Sequence, residues 1–141
     1  MQALSLYVHI PFCIHKCSYC DFYSIGVGQK EIPQKLYMKR LQEELIAQVS
    51  RYGLANRNLE SIFFGGGTPS MIDAGFLGEF LQKTKNIFNY ADDLEITCEA
   101  NPETLNETKL NNLLQAGINR LSVGVQSFQK RHLKFMERMH S

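Results

Sequence analysis

The sequence predicts an α/β fold built on parallel β-strands. Strand-like and helix-like segments alternate four times along the 141 residues, the pattern that gives a parallel sheet with helical crossovers. Each strand-like segment also ends in a run of cysteine, glycine or polar residues, and ligands in α/β folds bind beyond the carboxyl ends of the strands. Four strand–helix units are half of an eight-unit barrel. An open doubly wound sheet shares the same alternation.

Residues 4–10, LSLYVHI, alternate apolar and polar side chains with the period of two that marks a strand. A loop follows, carrying Cys13, Cys17 and Cys20 and then SIGVGQ. From Pro33 to Tyr52 the period turns helical, with Leu41, Leu45, Val49 and Tyr52 at steps of three or four. Pro33 suits the start of that helix and Gly53 its end. Residues 60–64, ESIFF, read as a second strand cut off by Gly65, Gly66 and Gly67. Leu77, Phe80, Leu81, Thr84 and Phe88 trace one face of a second helix, with Asp73 as its cap.

Residues 93–98, DLEITC, form the third strand-like segment. Thr104 and Glu107 have the spacing of a capping box, opening a helix over Leu110, Leu113 and Leu114 that Gly117 closes. Residues 119–125, NRLSVGV, make a fourth strand, after which Ser127 caps a last helix holding Leu133 and Met136. No repeat, low-complexity tract or linker interrupts the series, so the chain reads as one domain.

Composition narrows the class. A hydrophobic content of 44% allows a real core, and a formal net charge of +1 gives no general attraction to nucleic acid or anionic lipid. No apolar run approaches the roughly 18 residues of a membrane span. The start MQALSLYVHIPFC lacks the basic region and small-residue cleavage site of a signal peptide. The expectation is a cytoplasmic chain, in which clustered cysteines bind metal or react rather than pair. Cys98 stands alone and reads as a buried core thiol.

Cys13, Cys17 and Cys20 lie on one short loop after the first strand. Clustered thiolates hold either zinc or an iron–sulfur centre. Zinc requires a fourth ligand, which His9 or His15 can offer, so a Cys₃His site stays open on the residues alone. Three ligands on one loop leave a face of the metal free, and a four-iron cluster held by three cysteines keeps one iron for a small molecule. Otherwise His9, His15, His132 and His140 read as surface or structural residues. GGGTP, residues 65–69, lacks the Cβ atoms that keep a ligand from the main chain, whose N–H and C=O groups suit a carboxylate or an ammonium. No lysine follows, which excludes the GxxxxGK[ST] phosphate loop. Glu99 in CEANP and Gln126 in GVQSF end the third and fourth strands and can hydrogen-bond a ligand's hydroxyl or amino groups.

The cysteine spacing resembles the CxxxCxxC signature of the radical S-adenosylmethionine (SAM) superfamily. LYVHIPFC, CDF, FFGGGTPS, EANPETL and NRLSVGVQSF, in that order, are similar to the oxygen-independent coproporphyrinogen III oxidase family, from about Leu4 to Ser141. The resemblance implies a partial (β/α)6 TIM-like barrel, with residues 1–141 as the N-terminal portion of its core domain. The remaining units and a C-terminal domain would lie outside this sequence. It also implies that Cys13, Cys17 and Cys20 ligate a 4Fe–4S cluster whose open iron binds SAM, which is then cleaved to a 5′-deoxyadenosyl radical. Tyr7, Gly66, Gly67, Thr68, Glu99, Gln126 and Arg138 match SAM-contacting positions. Tyr19 falls where the oxidase has an aromatic residue beside a second SAM molecule.

Phe22 occupies the place of a further cysteine in the oxidase. With VQSF and the ending RMHS, it brings the resemblance closer to the family's haem-chaperone branch. That branch implies haem or porphyrin as a small-molecule partner, haem as transient cargo, and a haem-acceptor protein. The readings are therefore a haem-chaperone-type radical SAM protein, a coproporphyrinogen III oxidase, or a non-enzymatic domain with zinc or no metal. A fourth strand left without a neighbour would also let the chain self-associate through its edge.

Overall fold

The computed structural model describes residues 3–138. His140 and the end of the RMHS motif lie outside that range. Strand β1 (Leu4–Ile10) enters the fold and leads into short strands β2 (Phe12–Cys13) and β3 (Ile25–Gly26) that bracket the cysteine loop. Helix α1 (Gln34–Tyr52), strand β4 (Asn58–Gly66), helix α2 (Ala74–Ile87), strand β5 (Asn89–Ala100), helix α3 (Glu107–Ala116), strand β6 (Arg120–Val123) and helix α4 (Lys130–Phe135) follow. The main sheet has four strands in the order β1-β4-β5-β6, and every pairing is parallel. The alternation in the sequence thus gives a parallel sheet, as expected.

Helices α1, α2 and α3 cover one face of that sheet. Val8 and Ile10 of β1, Ile62 and Phe64 of β4, and Ile96 and Cys98 of β5 are buried with Met38, Leu45, Leu77, Phe80 and Leu113 from the helices. Phe64 meets Phe80 edge-on at 5.9 Å, a geometry that places the positive ring edge on a negative ring face. Alternate residues point to the opposite face, and there the side chains are polar or aromatic. Ser5 accepts from Ser61 at 2.8 Å, Tyr7 stacks on Phe63 with centroids 6.1 Å apart, and Arg120 donates to Glu95 at 3.4 Å. Parallel sheets sandwiched between helices carry apolar residues on both faces. The alternation here marks a sheet with helices on one side and a polar and aromatic face on the other, which is the arrangement inside a barrel.

Most boundaries follow the sequence reading, and the differences have local causes. Gly53 and Gly117 end α1 and α3 in the left-handed conformation, and the Asp73 side chain accepts from Gly75 N at the start of α2. Strand β4 does not stop at the glycines but runs through Gly65 and Gly66, which pair with His9 and Ile10. The ladder uses only backbone groups, so losing the side chain does not end it. Strand β5 begins at Asn89, because the exposed polar stretch at its start pairs by backbone with Asn58 and Leu59. The cap of α3 is Asn106, whose side chain accepts from Lys109 N at 2.8 Å. Thr104 is spent elsewhere, donating to the Asn101 carbonyl at 2.7 Å within a tight turn over Pro102–Thr104. Ser127 Oγ accepts from Gln129 N just ahead of α4, whose cap position is Gln129, and Met136 lies beyond its last turn.

Candidate functional site

The carboxyl ends of β1, β4, β5 and β6 open on one cleft of about 270 Å³, near the lower end for small-molecule sites. Cys13, Cys17, Cys20, Tyr19, Gly66, Gly67, Thr68, Glu99, Gln126 and Arg138 all line it. Of the residues that the family resemblance assigns to the cluster and SAM, Tyr7 alone does not. It lies on the face of β1 away from the helices, where burial and then the nearby Glu99 carboxylate push its phenol up from the ordinary value.

The cysteine loop is closed at its base by main-chain bonds. Ile25 N donates to Pro11 O at 2.7 Å, Val27 N to Cys13 O at 2.8 Å and Gly28 N to Ile14 O at 2.9 Å. The returning limb is tied to β1 through His9, whose Nε2 lies 2.9 Å from the Tyr23 carbonyl. A carbonyl only accepts, so Nε2 carries the proton and Nδ1 accepts from the Tyr7 hydroxyl at 3.1 Å. Both ring nitrogens of His9 are therefore committed, and its one lone pair, on Nδ1, is engaged by Tyr7 rather than free for zinc. His15, the other candidate fourth ligand, lies on the loop with its Nε2 3.4 Å from Glu137 at an exposed position.

The thiols sit at different depths, Cys13 buried and Cys17 and Cys20 half-buried. Among the described residues no three His, Cys, Asp or Glu side chains converge on one point as a single ion requires. A multi-iron cluster makes no such demand, since its ligands bind separate irons. Cys13 Sγ accepts from Thr68 Oγ1 at 3.5 Å, and Cys17 Sγ lies 3.8 Å from an Arg138 guanidinium nitrogen. Sulfurs with hydrogen-bond donors beside them suit thiolate ligands of an iron–sulfur centre better than apolar thiols do.

The glycine loop lies where the sequence reading puts it, but for a different reason. A Cβ at Gly66 would sit 2.5 Å from the His9 ring, one at Gly65 2.8 Å from Phe63, and one at Gly67 2.7 Å from the Pro11 and Phe12 main chain. The space is filled by the protein itself. The N–H groups are also used, Gly66 N by Glu99 Oε2 at 3.1 Å, Gly67 N by Ile10 O at 2.8 Å and Thr68 N by Phe12 O at 2.7 Å. This correction removes the carboxylate-binding half of the expectation. What the loop can offer a ligand is carbonyl oxygen, the partner for an ammonium group.

At the far side, Arg138 ties three segments together. It donates to Asn101 Oδ1 at 2.8 Å and Gly124 O at 2.7 Å besides facing Cys17. Burial works against its charge, but the bond to Cys17 and the nearby Glu103 outweigh this and push its pKa up. Its Nε is buried with no hydrogen-bond partner among the described residues. Burial, then a hydrogen bond to Cys17, pushes the Tyr19 phenol up. Gln126 has φ 63, and Ser127 N donates to Val125 O across it at 2.7 Å. That is a positive-φ γ-turn, a conformation that costs energy and clusters at functional sites. The residue missed by the sequence reading is Asn101. Its position, between the end of β5 and Pro102, was the available signal.

The family model described as Radical SAM superfamily matches residues 7–141. The protein named heme chaperone HemW of Buchnera aphidicola (subsp. Schizaphis graminum) is 43% identical over 141 residues, covering 100% of this chain and 37% of its own length. Its counterpart in Escherichia coli is 40% identical, covering 99% of this chain and 36% of its own length. The solved structure of coproporphyrinogen III oxidase from Escherichia coli, described as a radical SAM enzyme, matches with a TM-score of 0.85 at 31% identity. It covers 97% of this chain and 31% of that one. The chain thus spans little more than a third of the length of the curated relatives it matches. Among the described residues no helix is long and apolar enough to cross a membrane.

Proposed function

The chain belongs to the radical SAM superfamily, and from that premise we propose that it forms the cluster- and SAM-binding part of a haem-chaperone-type protein. The observation that carries the proposal is the gathering of Cys13, Cys17 and Cys20 into one cleft with the ends of four parallel strands. The donor set fits a 4Fe–4S cluster, because three separated sulfurs line the cleft and two of them already face hydrogen-bond donors. When bound, such a cluster supplies the single electron for reductive cleavage of SAM.

The chain's own residues would bind and orient. Cys13, Cys17 and Cys20 would hold the cluster from a loop whose base is fixed by β2 and β3. The Gly66 and Gly67 carbonyls would face the SAM ammonium. Arg138, which lines the cleft, would face the carboxylate. Glu99 and Gln126, at the ends of β5 and β6, would take the ribose hydroxyls or the amino group, and Tyr19 offers an aromatic wall. Tyr7 would act through Glu99 rather than in the cleft. The apolar packing behind Cys13, from Ile10 and Phe12, would keep water from that side of the cluster.

Haem as transient cargo, a haem-acceptor protein as partner and a cytoplasmic location rest on the likeness to proteins named heme chaperones. A second reading, oxidation of a porphyrinogen, draws on the likeness to the coproporphyrinogen oxidase structure. Phe22 in place of a further cysteine favours the first. Anaerobic reconstitution with iron and sulfide tests the proposal. A brown protein with a four-iron spectrum, SAM affinity and a Soret band on haem titration is expected. A colourless protein that retains zinc and ignores SAM would refute it, and turnover of coproporphyrinogen III would favour the second reading.

A further inference from the structure

Thr68, Asn101 and Arg138 form a directed hydrogen-bond chain that ends on a cysteine sulfur. The direction follows from donor chemistry. A guanidinium only donates, so the Asn101 oxygen faces Arg138, at 2.8 Å. The amide then presents its nitrogen to Thr68 Oγ1, at 3.2 Å. Having accepted there, the Thr68 hydroxyl directs its one proton to Cys13 Sγ, at 3.5 Å. Thr68 is only 1% exposed, so water does not compete for that proton. The same guanidinium reaches Cys17 Sγ at 3.8 Å. Chains of this kind polarise each successive donor.

We infer that Thr68, polarised through Asn101 by Arg138, is a positioning residue that sets the reduction potential of the cluster held by Cys13. The inference rests on the cluster reading above. A donor to a ligand sulfur stabilises the extra negative charge of the reduced cluster and raises its potential. The step affected is uptake of one electron from an external reductant, with no bond made or broken. This differs from a direct contact with SAM, the role the family resemblance implies for Thr68, because the effect is present before SAM binds.

The test compares wild type with Thr68→Val, which removes the donor at nearly constant shape, and Thr68→Ser, which keeps it. Each is reconstituted anaerobically, its iron content measured, and its midpoint potential titrated with dithionite, without SAM, by absorption and electron paramagnetic resonance. Thr68→Val should load the same iron yet be harder to reduce by about tenfold, or ~59 mV for one electron. Thr68→Ser should match wild type. Asn101→Ala, which leaves Thr68 in place but unpolarised, should shift the potential the same way by a smaller factor, and it serves if Thr68→Val fails to load. An unchanged SAM-free potential in Thr68→Val, or in Asn101→Ala where only that variant loads, would overturn the inference. In Thr68→Val, weaker SAM affinity with that unchanged potential would make the residue a SAM contact only. A wild-type protein that takes up no cluster would overturn the underlying reading instead.

Discussion

Gly66→Ala tests how the glycine loop is built. Gly66 has φ +111, a region that L-residues rarely occupy, and an added Cβ would lie 2.5 Å from His9 Cε1 and 2.7 Å from Nδ1. The backbone term costs about 1–2 kcal/mol. Moving the imidazole aside breaks its bonds to Tyr7 and Tyr23, at about 1 kcal/mol each. Stiffening the unfolded chain returns about 0.4–1 kcal/mol. The net is about 2–4 kcal/mol, or roughly 10 °C in melting temperature for a chain of this size. Gly53→Ala is the control, since it has φ +61 but nothing within 4 Å of the added Cβ. It pays only the backbone term, offset by the same entropy, about 1 kcal/mol or less. Thermal and urea unfolding of the apoprotein, followed by circular dichroism, measures both. In a His9→Ala background, Gly66→Ala should cost little more than the control does. Equal losses for Gly66→Ala and Gly53→Ala in the native background would refute the argument that His9 fills the glycine's space.

Three further outcomes follow from the same geometry. Burial pushes the Cys98 thiol to about 12, against 9.0 when unfolded. Its contribution to stability is therefore complete below about pH 9 and is lost as pH rises towards 12; Cys98→Val should flatten the alkaline limb of a urea-unfolding series across that window. Gln126 has φ 63, so Gln126→Gly should raise stability by about 1 kcal/mol while Gln126→Val lowers it by more, read as shifts in the urea midpoint. Strand β6 ends the sheet, with Val123 and Leu114 exposed. Sedimentation of the 141-residue chain should show concentration-dependent association that Val123→Lys suppresses; a monomer at every concentration in the unmodified chain would refute pairing through that edge.

Where the sequence was legible, one periodicity decided the element. Helix α1 was readable because Leu41, Leu45 and Val49 repeat on one face between a proline and a glycine that ends it in the left-handed conformation. Strand β1 was readable because Leu6, Val8 and Ile10 alternate with Tyr7 and His9. The start of β5 was not, because the residues from Asn89 to Asp93 are mostly exposed and owe their conformation to a partner strand remote in sequence. The cap of α3 was misassigned for a related reason. Thr104 and Asn106 both fit a cap, and only the fold shows that the Thr104 hydroxyl is already engaged with Asn101 and Ser70.

The site divides along the same line. Candidate metal donors stand out by type and spacing, so the sequence could point to Cys13, Cys17 and Cys20 on one loop, and to Glu99 and Gln126 at strand ends, and one cleft gathers all five. The work of the glycines could not, because it depends on what lies across the sheet. Three glycines in a row look like a cradle for a ligand, yet their missing side chains make room for His9, Phe63 and the Pro11–Phe12 backbone, and the Gly66, Gly67 and Thr68 N–H groups are spent on Glu99 and the β1–β2 segment. Tight packing at Gly66 holds His9 in place, and His9 in turn holds Tyr23 and the returning limb of the cysteine loop. The glycines therefore act on the thiols through the scaffold, and Gly66→Ala should slow cluster uptake even where a ligand still reaches the loop's carbonyls.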